Sequence, residues 1–235
     1  MSKKQDAHER RIRVGEDRRT RTRAAILRAA FQMLGRPEGR SSRIEEICEA
    51  AGVSRATFYN YFNSVEELFK ATAFHISHEF NDAVRAVIIR VPGGAIRLAF
   101  ALRYQMHKTR EDPAWGWAMI NLSAGGPIFG EEAYRYATEA IEEGIITEQF
   151  ALPSVEVGLD IVMGATLAAM ITLLRGEQVN DYPEVIVSHI YRALGVSETL
   201  TRRCVEAILP DPMEVLSESR DPAANSHRIE VQAAI

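Results

Sequence analysis

Apolar side chains at Ile26, Leu27, Ala30, Phe31 and Leu34 return every three or four residues, the spacing of one face of an α-helix. Gly35 and Pro37 stop the pattern, which predicts a first helix of about four turns. Ser42 followed by Glu45 reads as a capping box for a short second helix, Ile44 to Ala51, because a hydroxyl can accept from an early backbone N–H while the carboxylate reaches back. Gly52 tolerates a positive φ, and Ser54 is placed to cap a third helix, Arg55 to Phe62. Two short helices joined by a tight glycine-containing turn form a helix-turn-helix. Ser64 caps a much longer fourth helix that runs to about Ile89.

Every later segment also carries helical spacing, punctuated at Pro92-Gly93-Gly94, Asp112-Pro113, Gly125-Gly126-Pro127, Pro153, Gly176, Pro183 and Gly195. The stretches between these breaks are Ala95 to Arg110, Ala114 to Leu122, Glu131 to Phe150, Ser154 to Arg175, Pro183 to Leu194 and Ser197 to Leu209. No sustained alternation of period two appears, so the chain reads as all-α: an N-terminal three-helix helix-turn-helix domain followed by a second helical domain. Asp211 to Ile235 turns to Asp, Pro, Ser, Asn and Ala, the composition of a disordered tail. The expected organisation is a basic flexible leader (1–17), the helix-turn-helix domain (18–70), a helical effector-binding and dimerisation domain (71–210) and the tail (211–235).

Composition changes this picture in one respect. The formal net charge of the 235 residues is only −4, yet residues 1–75 carry 15 Lys and Arg against 10 Asp and Glu, and residues 76–235 carry 13 against 22. A basic module that meets a polyanion is joined to an acidic module with another task. Cys48 and Cys204 lie far apart without metal-ligand spacing, which suggests neither disulfide nor zinc and makes a reducing cytoplasm the expected compartment. The longest uncharged apolar stretch, Ile161 to Leu174, is 14 residues, short of the roughly 18 that span a bilayer; no membrane partner is expected.

The run from Ile44 to Leu68, through Ala51-Gly52-Val53-Ser54-Arg55-Ala56-Thr57-Phe58-Tyr59-Asn60-Tyr61-Phe62, resembles the DNA-binding signature of the TetR/AcrR family of bacterial regulators. The likeness covers residues 18–70. Read from the residues alone, a recognition helix must expose short polar side chains to base edges and donors to phosphates. Ser54, Arg55, Thr57, Tyr59, Asn60 and Tyr61 supply these groups within two turns, while Phe58 and Phe62, four apart, share a face that can pack on Ile44, Ile47 and Phe31. Arg55 suits a base or a phosphate, Asn60 could pair with adenine or do nothing, and the two tyrosines could contact phosphates or pack. The resemblance implies phosphate contacts for Tyr59 and Tyr61, adds Ser42, Arg43 and Ala56 to the DNA-facing set, and implies a double-stranded operator as partner. Two positions depart from the family pattern: Val65 stands where a lysine is common, and Arg43 where threonine is usual. Arg10, Arg11, Arg13, Arg18, Arg19, Arg21 and Arg23 could add minor-groove or backbone contacts.

For the second domain the resemblance implies dimerisation and effector sensing. Phe100, Tyr104, His107, Trp115, Trp117 and Met119, with Met163 further on, suggest an apolar or aromatic ligand's cavity oriented by His107 or Tyr104; the same stripe is also ordinary core. Gly164, Ala165, Ala168 and Ala169 would let another helix approach closely. The family's last two long helices form a four-helix dimer interface, which here corresponds to Ser154 to Arg175 and Pro183 to Leu194 and to Ala165, Ala168, Thr172, Val185, Ile186, His189 and Ile190. Asp181 with Glu184 reads as the cap of the second of these helices.

His75, His78, Glu79 and Asp82 fall at i, i+3, i+4 and i+7, but solvated helices give the same pattern and no second cluster completes a coordination shell, so neither metal nor other cofactor is assigned. Cys48 faces inward as a small buried hydrophobe. No Ser/His/Asp elbow, P-loop, GxGxxG or HExxH occurs, which leaves an enzyme as a remote alternative. The leading expectation is a dimeric repressor released from a palindromic operator by a small molecule; an accessory DNA-binding protein without effector is the other, and a solid second-domain core would favour it.

Overall fold

Helical spacing is realised along the described chain. The computed structural model describes residues 3–123, 127–176 and 178–220, with side chains from Val14 onward, and among these residues there are eleven α-helices and no strand. α1 (Lys3–Leu34), α2 (Ile44–Ala51), α3 (Arg55–Tyr59) and the first turns of α4 (Val65–Ile88) make an N-terminal head. Ile26, Leu27, Ala30, Ile47, Phe58, Phe62 and Leu68 form its core, none more than 3% exposed. Gly52 ends α2 in the left-handed region, φ 65°, which glycine enters without steric cost.

The second layer holds α5 (Gly94–Glu111), α6 (Pro113–Ser123), α7 (Glu131–Ile146), α8 (Val155–Arg175), α9 (Tyr182–Ala193), α10 (Glu198–Glu206) and α11 (Pro212–Arg220). α5 is its hub, packed against α4, α6, α7, α8, α9 and α10. Being enclosed on most sides, it takes Arg103, Gln105 and Thr109 into the interior along with Leu98, Phe100, Leu102 and Met106. Gly94 makes the approach of α5 to α7 possible, since a Cβ there would collide with the Ala140 carbonyl oxygen. Tyr191, fully buried, donates its hydroxyl to the Ala95 carbonyl and ties α9 to α5.

Ser54 and Ser64 cap α3 and α4 as their positions predict, accepting from Thr57 N and Glu67 N at 3.1 Å each. Ser154 and Ser197 do the same for α8 and α10. Elsewhere the structure corrects the sequence reading. The leader is helical from Lys3, and the side chains of Arg10, Arg11 and Arg13 lie outside the described residues. Only one half of a capping box forms, one residue later than expected: a 3-10 turn, Gly39–Ser41, holds the chain up to Ser42, so Arg43 is the extended residue and its N–H donates to Glu46 Oε2 at 3.0 Å, while its guanidinium has no acceptor to return. α3 stops at Tyr59, not Phe62, because Asn60, Tyr61 and Phe62 tighten onto Thr57 and Phe58 carbonyls before Ser64 starts α4. Asp181 precedes α9 but its carboxylate caps nothing; Pro183 has no N–H to offer it, and Glu184 turns inward to Arg103.

α8 is long and apolar enough by length and composition to cross a bilayer. Gly158, Leu159, Val162, Met163, Thr166, Ala169 and Met170 are buried in the protein, so one side of α8 packs into the core. The segment read as tail is helical over Pro212–Arg220, while 221–235 lie outside the described residues. α11 lies along α4, and Val215 and Leu216 join Val84, Val87, Phe100 and Tyr104 in a second apolar cluster. Val215 and Leu216 are 4% and 8% exposed, each worth about 1.5–3 kcal/mol of burial. Ending the chain after Pro210 should therefore destabilise it by about 3 kcal/mol or more, seen in urea unfolding; an unchanged midpoint would mean that α11 is a passive tail.

Candidate functional site

Two surfaces carry the chemistry. The first is the exposed side of α3. Phe58, in edge contact with Tyr59 at 5.4 Å between centroids, and Phe62 are buried, so the opposite side must face outward. Ser54, Arg55, Ala56, Tyr59 and Asn60 are exposed, and Thr57, Tyr61 and Ser42 are half-buried. Ser54 and Thr57 share a hydroxyl hydrogen bond of 2.9 Å, which orients both. Arg55 reaches Glu45 of α2 at 2.8 Å, both side chains more than half exposed; such a pair contributes under about 1 kcal/mol and gives way to a phosphate. Arg19 and Arg23 of α1 lie over the rings of Tyr61 and Phe62, 5.8 and 5.4 Å from their centroids. Arg19 and Arg23, candidates for minor-groove or backbone contacts, thus stand on a helix beside the exposed face, and Arg43 is exposed nearby. Cys48 lies beneath, its thiol pushed up by burial, which suppresses thiolate chemistry.

The second surface is internal. A cleft of about 950 Å³ opens where α1 meets α4, α5, α6 and residues 209–213; Leu27, Phe31, Ile76, Phe80, Tyr104, His107 and Trp115 line it. The polar atoms expected to orient a ligand are already engaged. Tyr104 donates its hydroxyl to Pro210 O at 2.7 Å, His107 Nε2 lies 3.1 Å from Glu184 Oε1, and Trp115 donates Nε1–H to Ile76 O at 3.2 Å. Burial also pushes the Tyr104 phenol well above its ordinary range, so it stays a donor. Of the other residues read as ligand contacts, Phe100 packs under α11, Met119 is core, and half-buried Trp117 lines neither this cleft nor the next.

A smaller cavity of about 160 Å³ lies between α4, α5 and α7, lined by Val84, Ile88, Leu98, Leu102, Phe129 and Ala137, with Met163 from α8 and Gln105 from α5. Gln105 is 7% exposed and its Oε1 has no hydrogen-bond partner. Sequence reasoning passed over Gln105 because a glutamine beside Tyr104 and Met106 carries no periodic signal; only the enclosure of α5 marks it. Glu184 was likewise taken for a cap. Burial acts to raise its carboxyl, but hydrogen bonds from Arg103 and His107 outweigh that and hold it below the ordinary value.

His78 and Asp82 of α4 meet Glu132 of α7, with His78 Nε2 and Nδ1 each 3.6 Å from a carboxylate oxygen. That is beyond hydrogen-bond length; the imidazole instead stacks on Phe74 at 4.5 Å. His75 and Glu79 turn to the large cleft. Among the residues read as dimer contacts, Ala168, Val185 and His189 are exposed, and Ala165, Thr172 and Ile186 are half-buried. Ile190, 3% exposed, belongs to this chain's own core and is withdrawn from that surface.

Residues 26–72 match the family described as bacterial regulatory proteins, tetR family, and residues 94–206 match the Tetracyclin repressor-like C-terminal domain. The chain belongs to the TetR family. Its helix-turn-helix head and its C-terminal domain each match a domain of that family. An uncharacterised HTH-type transcriptional regulator of Mycobacterium tuberculosis is 34% identical over 110 residues, 47% of this chain and 54% of that protein. The chain thus spans about half the length of the curated relatives it matches. Among solved structures, the TetR-like architecture is shared with RolR in complex with resorcinol, at TM-score 0.65 and 25% identity over 83% of this chain and 98% of that one. FadR from Bacillus subtilis in complex with stearoyl-CoA has the same fold, at TM-score 0.56 and 15% identity over 79% and 98%.

The Arg103–Glu184–His107 group gives a pH prediction. A carboxyl whose folded value is depressed adds stability that is present above its unfolded value and is lost as pH falls through the folded one. The loss therefore begins as pH drops past about 4.5. Glu184→Gln should lower stability at pH 7 and flatten its decline below pH 4.5 relative to the parent chain; parallel stability curves would mean the pairing is energetically silent.

Proposed function

We propose that this TetR-family regulator is a homodimeric repressor that holds a palindromic operator and leaves it when a small molecule fills the cavity between α4, α5 and α7. The observation that carries the reading is that α4 belongs to both surfaces. Its first turns put Leu68 into the head core beneath α3, and its later turns put Val84 and Ile88 into the cavity wall. A ligand that alters the packing of the later turns therefore tilts the head. Effector coupling of about 1–3 kcal/mol, or 5- to 150-fold in operator affinity, is ordinary for such a lever, provided the ligand prefers the state that DNA does not.

Ser54, Arg55, Ala56, Thr57, Asn60 and Tyr59 meet the major groove and its flanking phosphates, with Ser42, Arg43 and Tyr61 on the backbone. Support for an effector comes from the two neighbours solved with ligands, RolR with resorcinol and FadR with stearoyl-CoA. The cavity also speaks against an accessory DNA-binding protein with a solid core. On operators selected from random duplexes, Arg55→Ala should cost about 1–3 kcal/mol and relax preference at one base pair. Tyr59→Ala should weaken all sequences alike, as loss of a phosphate contact does. A sequence-preference change with Tyr59→Ala but not with Arg55→Ala would reverse the assignment.

The dimer forms through the outer faces of α8 and α9. Gly164 and Ala168 leave that face of α8 without bulk, and exposed Val157 of α8 and Val185 of α9 add apolar surface, the composition of a helix pair awaiting another. Two half-sites about one helical turn of DNA apart require two heads held at fixed separation. Ala168→Glu should give a folded monomer in sedimentation analysis with little operator affinity. Tight, specific DNA binding by that monomer would overturn the dimer reading.

A further inference from the structure

Four buried polar side-chain atoms lack a hydrogen-bond partner among the described residues: His78 Nδ1, Arg97 Nε, Gln105 Oε1 and Thr166 Oγ1. Such atoms are costly, because their hydration is lost and nothing replaces it. Two of the four belong to residues lining the 160 Å³ cavity, and they are of opposite kinds. Gln105 Oε1 is an acceptor and Arg97 Nε–H is a donor. Both stand on α5, eight residues apart, about 12 Å along its axis at 1.5 Å per residue. α4 and α5 are joined by a short connection, so the cavity runs from Asn81 and Gln105 at one end to Ile88, Ile89 and Arg97 at the other. Apolar side chains of Leu98, Leu102, Phe129 and Met163 fill the wall between.

Charge separates the ends further. Residues 76–235 carry 13 basic against 22 acidic side chains, yet Arg85, Arg97 and Arg135 line this cavity against Glu139 alone. Arg135 pairs with Glu139, and Arg97 with Glu143 behind it. Arg85 has a ring partner, Tyr136, at 5.6 Å, and no ion pair among the described residues. Two of the three cations are thus compensated, and Arg85 is the surplus positive charge beside the apolar space.

The volume limits what lies in it. A cavity of about 150 Å³ accommodates benzene, so 160 Å³ is the size of one six-membered ring with small substituents. Resting on the reading of this cavity as the effector site, we propose that its ligand is a monocyclic hydroxy-aromatic acid. The ring hydroxyl donates to Gln105 Oε1, the ring fills the apolar middle, and the carboxylate accepts from Arg97 Nε–H with Arg85 beside it.

Calorimetric titration of the full chain without DNA tests this, with 4-hydroxybenzoate, benzoate and phenol as probes. The expected result is saturable 4-hydroxybenzoate binding, one per chain, tighter than either fragment. Gln105→Leu should weaken 4-hydroxybenzoate but leave benzoate unchanged, and Arg97→Gln should weaken both acids by about ten- to hundredfold and leave phenol unchanged. Should Gln105→Leu fail to fold, the comparison of 4-hydroxybenzoate with benzoate on the parent chain carries the hydroxyl assignment. No saturable binding of 4-hydroxybenzoate at millimolar concentration, or affinities indifferent to Arg97→Gln, would overturn the proposal. Operator release is measured separately. Binding that follows this pattern without releasing operator upholds the ligand assignment and defeats the induction mechanism, whereas release by an aliphatic compound with no binding of 4-hydroxybenzoate defeats the assignment and leaves induction standing.

Discussion

A guanidinium buried in the hub helix organises the second domain. Arg103 is 7% exposed and donates to Glu184 Oε1 at 2.8 Å, to Cys204 O at 3.3 Å and to Ala207 O at 2.7 Å. Three elements that touch α5 from different sides, α9, α10 and the segment leading into α11, are thereby fixed to one rigid fork. A buried charge is tolerated only when such partners replace its hydration, so the placement of α9 and the path to α11 are coupled to each other through it. Removing either partner leaves an uncompensated charge in the core, which ordinarily destabilises by about 3–5 kcal/mol. His107 joins the same carboxylate, which makes the group a network in place of a lone pair.

That network also engages a polar group of the large cleft, His107. In the large cleft Tyr104 and Trp115 donate to backbone carbonyls and His107 meets Glu184, whereas the small cavity has fewer aromatics and retains Gln105 Oε1 and Arg97 Nε without hydrogen-bond partners. Recognition needs groups that are unsatisfied before the ligand arrives, because a hydrogen bond to an already paired atom exchanges one bond for another. The large cleft is bordered by Leu27 and Phe31 of α1 as well as by α4, so it lies where the head meets the second domain.

Electrostatics follows the same division of labour. The basic excess of residues 1–75 appears as arginines along α1 and at Arg43 and Arg55, beside the exposed face of α3. The acidic second domain repels a polyanion and so favours approach of DNA head-first. Inside that acidic domain Arg85, Arg97 and Arg135 line the small cavity, and pairing of Arg97 with Glu143 and of Arg135 with Glu139 leaves Arg85 as the surplus charge there.

Helix identity and the head's chemistry were legible from the residues, because the information is local. Apolar spacing, Ser54 and Ser64 at helix starts and Gly52 at a left-handed turn act within four or five residues, and the order from Ile44 to Leu68 marks the DNA-reading face. Boundaries that depended on a neighbour were misplaced: Glu184 looked like a cap until Arg103 claimed it, and Val215 and Leu216 looked like tail until α4 offered an apolar face. Ile190 shows the same limit, since helical spacing marks an apolar side but not whether it meets its own core or another chain. The cavity proposed for the effector was decided by tertiary structure alone. Whether Tyr104, His107 or Gln105 keeps a free polar atom depends on Pro210, Glu184 and other residues roughly 80 to 100 positions away in the chain, and no local pattern encodes a partner at that distance.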